Sequence, residues 1–155
     1  MKMKLIVTAL LFAGFAAPAG DPEGFHLWKA ADLKAFATTL AAKMGASKTA
    51  TQQLTNFGNY SFMVAHREAS GEAEYHATQA DIDVVESGQV TLIYGGTVVD
   101  GKNTSPTEIR GPSISGGTEI KLGAGDIVTI PAKTPHQMKV DPGKQVTYFV
   151  AKVTQ

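Results

Sequence analysis

The chain has 155 residues, of which 43% are hydrophobic and 18% are charged, a composition typical of a globular protein with one packed core. Its 14 basic residues balance its 14 acidic residues, so no net field favours nucleic acid or an anionic membrane as a partner. The sequence contains no cysteine, which excludes disulfides and leaves packing and any bound metal as sources of stability.

The first 19 residues have the three parts of a secretory signal peptide. Lys2 and Lys4 form a basic start, residues 5–17 are apolar but too short to span a bilayer comfortably, and residues 17–19 form a small-residue cleavage site. We therefore expect a secreted or periplasmic protein that starts at Gly20 and has no membrane contact after cleavage. Removal of the two lysines would leave 12 basic residues of the original 14, against 14 acidic residues. The alternative is an uncleaved N-terminal anchor.

Residues 20–58 are predicted to form an N-terminal arm with one amphipathic helix. Apolar residues recur at steps of three and four, which gathers them on one helical face, and Gly45 offers a left-handed residue at which the helix can end. The residues of this face are Leu33, Phe36, Ala37, Leu40, Ala41 and Met44. We expect the helix to cover an apolar edge of the main body and Trp28 to anchor the arm.

The pattern over residues 59–155 predicts β-structure. Short runs rich in β-branched and aromatic residues are separated by glycine-bearing turns, and they do not alternate with helices as a parallel sheet would require. The runs are residues 60–64, 82–85, 90–94, 127–130 and 146–153. Residues 95–117 are glycine-rich but lack the lysine-serine ending of a phosphate loop, so we expect turns at the rim of a barrel. The predicted fold class is therefore all-β, an antiparallel sandwich or barrel.

Two segments hold most of the chemically active residues. In the first, Glu74 and His76 lie two residues apart and so point to one face of a strand, while a short turn can bring Asp81 back towards that face. One imidazole and up to two carboxylates would then converge. In the second, a strand over residues 127–130 ends in a tight loop that returns the chain to His136.

These segments resemble the two sequence motifs of the cupin superfamily. The first family motif is His-x-His, three or four residues, Glu, six residues and Gly, and the chain keeps this spacing from Glu74 and His76 through Asp81 to Gly88. The second is Gly, five residues and Pro-x-Gly-x-x-His, and residues 125–136 keep this spacing at every step. The resemblance covers about residues 59–153, and residues 125–136 are its most specific part.

The resemblance implies a small, exported, single-domain cupin. Its fold would be a double-stranded β-helix (jelly-roll) barrel preceded by the N-terminal helix, and His76, Asp81 and His136 would bind a divalent metal ion inside the barrel. Two imidazoles and a carboxylate suit iron, zinc, manganese and nickel, so the resemblance does not identify the metal. Cupin relatives are often dimers, so we expect a homodimer.

Three residues depart from the family motifs and leave alternatives open. Glu74 replaces the first histidine, Asp81 replaces a glutamate that is one methylene longer, and Lys133 replaces the glycine of the second motif. Glu74 can bind the metal, orient another ligand or face solvent. Asp81 can instead cap a turn, and His76 and His136 can instead be hydrogen-bonded core residues.

Five further side chains have weaker expected roles. His66 is a minor candidate that would enter the site from the preceding strand, whereas His26 is expected on the surface. Tyr94, Tyr148 and Met138 are expected to line the barrel interior or to pack in its core.

The sequence is compatible with two functions. One is an enzyme whose metal binds a small oxygenated substrate, acid or sugar-like, for dioxygenase, isomerase or lyase chemistry. The other is a non-catalytic protein that binds a small-molecule ligand, with the metal anchoring that ligand or stiffening the barrel. The sequence shows no nucleophile elbow or histidine-base pair. A basic residue aimed at the metal would distinguish the two functions, and Lys133 and Arg110 are the candidates.

Overall fold

A computed structural model describes residues 20–155, so the predicted signal peptide over residues 1–19 lies outside the described residues. The described chain forms one helix, α1 (Ala30–Ala41), followed by twelve strands. The strands are β1 (Thr49–Asn56), β2 (Tyr60–Arg67), β3 (Ala73–His76), β4 (Gln79–Tyr94), β5 (Thr97–Val99), β6 (Lys102–Ser105), β7 (Glu108–Gly111), β8 (Ser113–Ser115), β9 (Thr118–Gly123), β10 (Ile127–Ile130), β11 (His136–Lys139) and β12 (Val146–Thr154). No helix in this part of the chain is long and apolar enough to cross a membrane.

Helix α1 packs its predicted apolar face against β1, β2 and β4. Leu40 is fully buried, and the other residues of that face are partly buried. The helix ends at Ala41, and its last turn tightens into bonds from Lys43 N–H to the Leu40 carbonyl and from Met44 N–H to the Ala41 carbonyl. These bonds satisfy the terminal carbonyls without a left-handed residue. Gly45 does not have a positive φ, so its predicted role at the helix end is wrong.

The strands form a curled antiparallel sheet in the order β1-β2-β12-β4-β11-β3-β7-β6, with β9 and β10 also paired to β4 and with β5 paired separately to β8. Strand β4 belongs to both faces of this barrel. Its first half pairs with β10 and β12, and its second half pairs with β9 and β11. The predicted all-β barrel with one N-terminal helix is therefore confirmed.

Gly88 lies at the point where β4 passes from one face to the other. A register shift against β12 leaves Glu86 without a partner residue in that pair. Gly88 has φ +79°, and a Cβ there would lie 2.0 Å from the carbonyl oxygen of Gln145. Only glycine tolerates both the positive φ and the close carbonyl oxygen, so this motif position requires glycine for its backbone conformation and packing. The separate strands predicted over residues 82–85 and 90–94 are corrected to one bent strand.

Six short or polar strands were not predicted, one of which is β9 over residues 118–123. Strands β5, β6, β7 and β8 occupy residues 95–117, which were expected to form only turns. Strand β1 lies in the segment assigned to the arm, and its pairing with β2 starts the sheet before residue 59. These strands are stabilised by pairing with neighbouring strands, and the local pattern of apolar residues does not reveal such pairing. Strand β10, in contrast, matches the predicted residues 127–130.

The apolar core lies between the two faces of the barrel. Its buried residues are Ala65, Val85, Val90, Leu92, Leu122, Ile130, Met138, Val140, Val146, Tyr148 and Val150. Met138 and Tyr148 are therefore interior residues, as predicted. Tyr94 is 40% exposed, so its predicted interior position is wrong, because it ends β4 at the barrel rim.

Trp28 anchors the N-terminal arm to the outer surface of the sheet, as predicted. Its ring meets Phe62 of β2 edge-on at a centroid distance of 6.0 Å and stacks on His26 at 5.5 Å. His26 is exposed, also as predicted. The arm therefore packs on the side of β2 away from the barrel interior, since the next residue, Met63, lines the interior cavity.

Candidate metal centre

The first motif places three donor side chains at the junction of β3 and β4. Glu74 and His76 are two residues apart on β3, so their side chains share one face. The chain then turns within residues 77–78 and enters β4, whose third residue is Asp81. His76 and Asp81 are each 5% exposed, so the junction buries both side chains.

The second motif brings His136 to the same place. A tight turn over residues 131–135 leads from β10 to β11, which begins at His136. His136 lies directly opposite Glu74 in the antiparallel pair of β3 and β11. The N–H of Lys133 donates a hydrogen bond of 2.7 Å to the carbonyl oxygen of His76. The backbones of the two motifs are therefore joined as well as their side chains.

Four donor atoms converge at this junction. One atom from each of Glu74, His76, Asp81 and His136 lies within 4.8 Å of all the others. The His76 Nε2 atom is 3.3 Å from Oε2 of Glu74 and 3.6 Å from Oδ2 of Asp81. The His136 Nε2 atom is 3.9 Å from the same Glu74 oxygen and 3.6 Å from the same Asp81 oxygen. All four site residues proposed from the sequence thus lie together.

The spacing of these donor atoms fits a metal ion. In a tetrahedral site with metal–ligand distances of about 2.0–2.1 Å, neighbouring donor atoms lie roughly 3.4 Å apart. The four nitrogen–oxygen separations run from 3.3 to 3.9 Å. Two imidazole nitrogens and two carboxylate oxygens suit zinc, iron, manganese and nickel. The donor set therefore fits a divalent metal without selecting one.

The hydrogen bonding of His136 turns its Nε2 atom towards the cluster. Its Nδ1 atom lies 3.0 Å from the carbonyl oxygen of Thr134, and because a carbonyl only accepts, Nδ1 carries a proton. In the neutral imidazole, Nε2 then presents a lone pair towards the carboxylates of Glu74 and Asp81. This is the usual orientation of a histidine that binds a metal.

Lys152 is a residue of this site that the sequence analysis missed. Its Nζ atom lies 2.9 and 2.7 Å from Oδ1 and Oδ2 of Asp81 and 3.0 Å from Nε2 of His76. Lys152 is opposite Asp81 in the pair of β12 and β4. Its neighbours at steps of two, Tyr148 and Val150, line the same interior cavity. A charged residue on the core-facing side of an apolar strand was therefore the available signal.

Two arginines lie beside the second carboxylate oxygen of Glu74, Oε1. Its Oε1 atom lies 2.9 Å from Nη1 of Arg110 and 3.9 Å from Nη2 of Arg67. Arg110 also pairs with Glu108, and Nε of Arg67 donates a hydrogen bond of 2.7 Å to the Tyr148 hydroxyl. Oε1 therefore faces the guanidinium groups and Oε2 faces the histidines. The interpretation of Glu74 as a solvent-facing edge residue is wrong, because its side chain is only 14% exposed.

The remaining sequence candidates lie outside the cluster. Lys133 is exposed and does not line the cavity, so it is not the basic residue aimed at the site. His66 is fully buried, but its Nδ1 atom is 2.8 Å from Oγ1 of Thr147. Its neighbours Ala65 and Arg67 line the cavity, so strand alternation directs His66 to the opposite face of β2.

The donor cluster opens into a cavity of about 620 Å³ between the two faces of the barrel. Arg67, Arg110, Asp83 and Tyr148 contribute polar groups to its wall. Asp83 is 3% exposed, and its Oδ1 atom has no hydrogen-bond partner among residues 20–155. The Tyr148 hydroxyl accepts from Arg67, so its own proton remains available to donate. The cavity thus offers hydrogen-bonding groups beside the cluster.

Comparison with known proteins supports the fold. No family model and no curated protein matches the sequence. A cupin-2 domain from Rhodospirillum rubrum matches in structure with a TM-score of 0.51 and 13% identity, over 70% of this chain and 61% of that chain. A predicted oxalate decarboxylase from Thermotoga maritima matches with a TM-score of 0.52 and 10% identity, over 69% and 81%. A cupin-superfamily sugar phosphate isomerase from Silicibacter pomeroyi matches with a TM-score of 0.50 and 16% identity, over 70% and 60%.

The chain has a cupin fold. Its three departures from the cupin motifs have different structural consequences. Glu74, in place of a histidine, keeps a donor oxygen in the cluster. Asp81 is shorter than the usual glutamate, yet its Oδ2 atom lies 3.6 Å from both histidine nitrogens. Lys133, in place of a glycine, has φ +65°, in the left-handed region that glycine adopts without strain. The departures alter charge and backbone strain but leave four donors together.

The charges of this site shift the pKa values of its members in opposite directions. Burial opposes the charged form of Glu74, but the hydrogen bond with His76 and the charge of Arg110 lower its pKa to about 2. Burial also opposes ionisation of Asp81, but the two histidines beside it and the ammonium group of Lys152 lower its pKa. Burial disfavours charged His76, yet hydrogen bonds to Asp81 and Glu74 raise its pKa to about 9. Burial and the charge of Asp81 raise the pKa of Asp83 to about 7.

Proposed function

We propose that this cupin binds one divalent metal ion through Glu74, His76, Asp81 and His136 and presents it to a small oxygenated ligand. The observation that carries the proposal is the convergence of the four donor atoms within 4.8 Å. The orientation of His136 by the Thr134 carbonyl supports it, because the lone pair at Nε2 then faces the cluster. When bound, such a metal polarises a ligand oxygen or, if redox-active, supports oxygen chemistry.

The cavity wall supports an acid or a sugar-like compound as the ligand. Arg110 lies beside Glu74, where a guanidinium group can bind a carboxylate or a hydroxyl oxygen. The unpartnered Oδ1 atom of Asp83 and the hydroxyl proton of Tyr148 can bind ligand hydroxyl groups. Two proteins of similar fold are named for a sugar phosphate and for oxalate, which are also small and oxygen-rich. We therefore favour an enzyme that acts on such a substrate by dioxygenase, isomerase or lyase chemistry.

Non-catalytic ligand binding is the second candidate, and the pairing of the arginines favours it. Arg110 is paired with Glu74 and Glu108, and Arg67 is bonded to Tyr148. Guanidinium groups engaged in this way are less available to stabilise the charge that develops on a substrate. In that case the metal would anchor the ligand. Elemental analysis of protein purified from its own source narrows the chemistry, because iron would favour oxygen chemistry and zinc would exclude it while leaving lyase, hydrolytic or anchoring roles.

Zinc titration by calorimetry tests the proposed metal site directly. Wild-type protein should bind one ion per chain, whereas His76→Ala and His136→Ala should each lose stoichiometric binding. Both variants should keep a β-rich circular dichroism spectrum, because the core is built from apolar residues outside the site. His26→Ala is the matched control, since His26 is exposed on the arm. Full metal occupancy in His136→Ala would overturn the assignment of the site.

We also propose that the protein is exported and forms a homodimer. Lys2, Lys4 and the apolar residues 5–17 support export. Intact mass of the exported protein should place its first residue at Gly20 or within a few residues of it, and full-length chain in the membrane fraction would contradict this. The dimer is proposed from the resemblance to cupins. Light scattering of the mature protein should give twice the chain mass, and a monomer mass would rule out the dimer.

A further inference from the structure

Lys152 places a positive charge against the donor atoms of the proposed metal site. Its Nζ atom lies 2.7 Å from Oδ2 and 2.9 Å from Oδ1 of Asp81, and it lies 3.0 Å from Nε2 of His76. Oδ2 of Asp81 is also the oxygen that faces both His76 and His136. The ammonium group therefore contacts three atoms on two of the four side chains that would bind the metal.

The fold holds Lys152 in this position. Strand β12 is paired on one side with β2 and on the other with β4, and its register sets Lys152 opposite Asp81. The side chain of Lys152 is 19% exposed and that of Asp81 is 6% exposed. A buried carboxylate is costly without a partner, and here both of its oxygens have one. The ammonium group thus satisfies Asp81 in the absence of metal.

A metal ion and this ammonium group compete for the same electron pairs. Both are cations that bind the oxygens of Asp81, and their like charges repel at such short range. The Lys152 side chain also lines the cavity of about 620 Å³, which gives the ammonium group room to move away. Metal binding and the observed position of Lys152 are therefore mutually opposed.

We propose that the ammonium group of Lys152 takes the place of a metal ion in the metal-free site, where it neutralises Asp81. A divalent metal then binds by displacing this ammonium group into the cavity. The inference rests on the proposed metal site and concerns how that site is controlled. Lys152 would keep the metal-free protein folded and would set a threshold concentration for metal uptake. Its removal should therefore strengthen metal binding although it lies against the ligands.

Zinc chloride alone is the probe for this competition. Chelator-treated wild type, Lys152→Met and Lys139→Met are titrated with zinc by calorimetry. Methionine keeps an unbranched stem without the charge, and Lys139 is a control because it is exposed and lies 3.6 Å from Glu119, outside the cluster. Lys152→Met should bind zinc about tenfold more tightly or better, since no charged hydrogen bond must be broken, and Lys139→Met should bind as wild type does.

Melting temperatures measured in chelator and in zinc provide a second readout. Lys152→Met should melt below wild type in chelator, because Asp81 loses its partner, and zinc should raise its melting temperature more than that of wild type. Lys152→Gln, which can still donate to Asp81 without a charge, is the second variant and should show the same direction. It keeps the test decisive should Lys152→Met fail to fold.

The outcomes separate this inference from the proposed function. Equal, measurable zinc affinities in wild type and in the Lys152 variants, or weaker binding by the variants, would overturn the inference and leave the metal site standing. Zinc binding by the variants alone would show that zinc does not displace Lys152, and it would overturn both the inferred displacement and metal binding by the native protein. Absence of zinc binding in wild type and variants, all folded by circular dichroism, would overturn both.

Discussion

Replacing Lys133 with glycine should stabilise the protein, because the turn before His136 holds this residue in a left-handed conformation. Lys133 has φ +65° and lies between β10 and β11. Its N–H donates a hydrogen bond of 2.7 Å to the carbonyl oxygen of His76. That bond ties the turn to β3, so we expect the backbone to keep its conformation when the side chain changes.

The expected gain is about 0.5–1 kcal/mol in the free energy of unfolding. The left-handed region costs a residue with a Cβ about 1–2 kcal/mol, and it costs glycine almost nothing. Against this gain, glycine gives the unfolded chain more conformations, which costs about 0.5–1 kcal/mol. The difference corresponds to a rise in melting temperature of about 2–4 °C for a domain of this size.

Thermal and urea unfolding of the metal-free proteins test this expectation. Lys133→Ala keeps the Cβ, so its stability should stay within about 0.5 kcal/mol of wild type. Lys48→Gly, at φ +52° and outside the cluster, should gain a similar amount. Zinc affinity of Lys133→Gly should match wild type, because Lys133 does not line the cavity. Equal or lower stability of Lys133→Gly relative to Lys133→Ala would refute the argument from backbone strain.

Three further predictions concern the site and the strand that bends beside it. Glu74→Gln should weaken zinc binding about tenfold or more, because it removes a negative charge from the cluster. Glu72→Gln, on the cavity wall, is the control and should bind zinc as wild type does. Equal zinc affinities of Glu74→Gln and wild type by calorimetry would show that Glu74 is not a ligand. Zinc affinity should rise with pH up to about 9, because the raised pKa of His76 keeps its imidazole protonated at neutral pH. Calorimetry at neutral pH in buffers of different ionisation enthalpy should therefore show that zinc binding releases protons. Absence of proton release would contradict the raised pKa. Gly88→Ala should lower the free energy of unfolding by about 2–4 kcal/mol. Gly143→Ala, also at positive φ but with open space around it, should lower it by about 1 kcal/mol. Equal losses for the two variants in urea unfolding would argue against the close approach of Gln145 to Gly88.

The four donor residues were predictable because each motif is short. Strand alternation sets Glu74 and His76 on one face, and only a two-residue turn separates β3 from the strand that carries Asp81. The resemblance to the second cupin motif added His136. Lys152 was not predictable in this way, because its place depends on the register of β12 against β4. Such a register is a long-range property that a local pattern does not specify.

Apolar strands were predicted better than polar ones. Strand β10 coincides with the predicted residues 127–130, since its run of β-branched residues is unmistakable. Strand β1, with the sequence TATQQLTN, is largely polar and is held by its pairing with β2. Strands β5 to β8 have three or four residues each, too few for a periodic signal. Gly88 interrupts the pattern of β4 and made one bent strand resemble two.

Positions 133 and 152 show what a motif match does and does not establish. The motif glycine at position 133 serves backbone geometry, so lysine there strains a turn but leaves the four donors in place. Lys152 belongs to no motif, yet it contacts Asp81 and His76. The match therefore predicts where donor atoms meet, whereas a residue of β12 sets the charge between them. Because an ammonium group already balances Asp81, the barrel does not need a metal to bury that carboxylate. We therefore expect cooperative melting of the chelated protein, which would assign the metal to ligand binding rather than to folding.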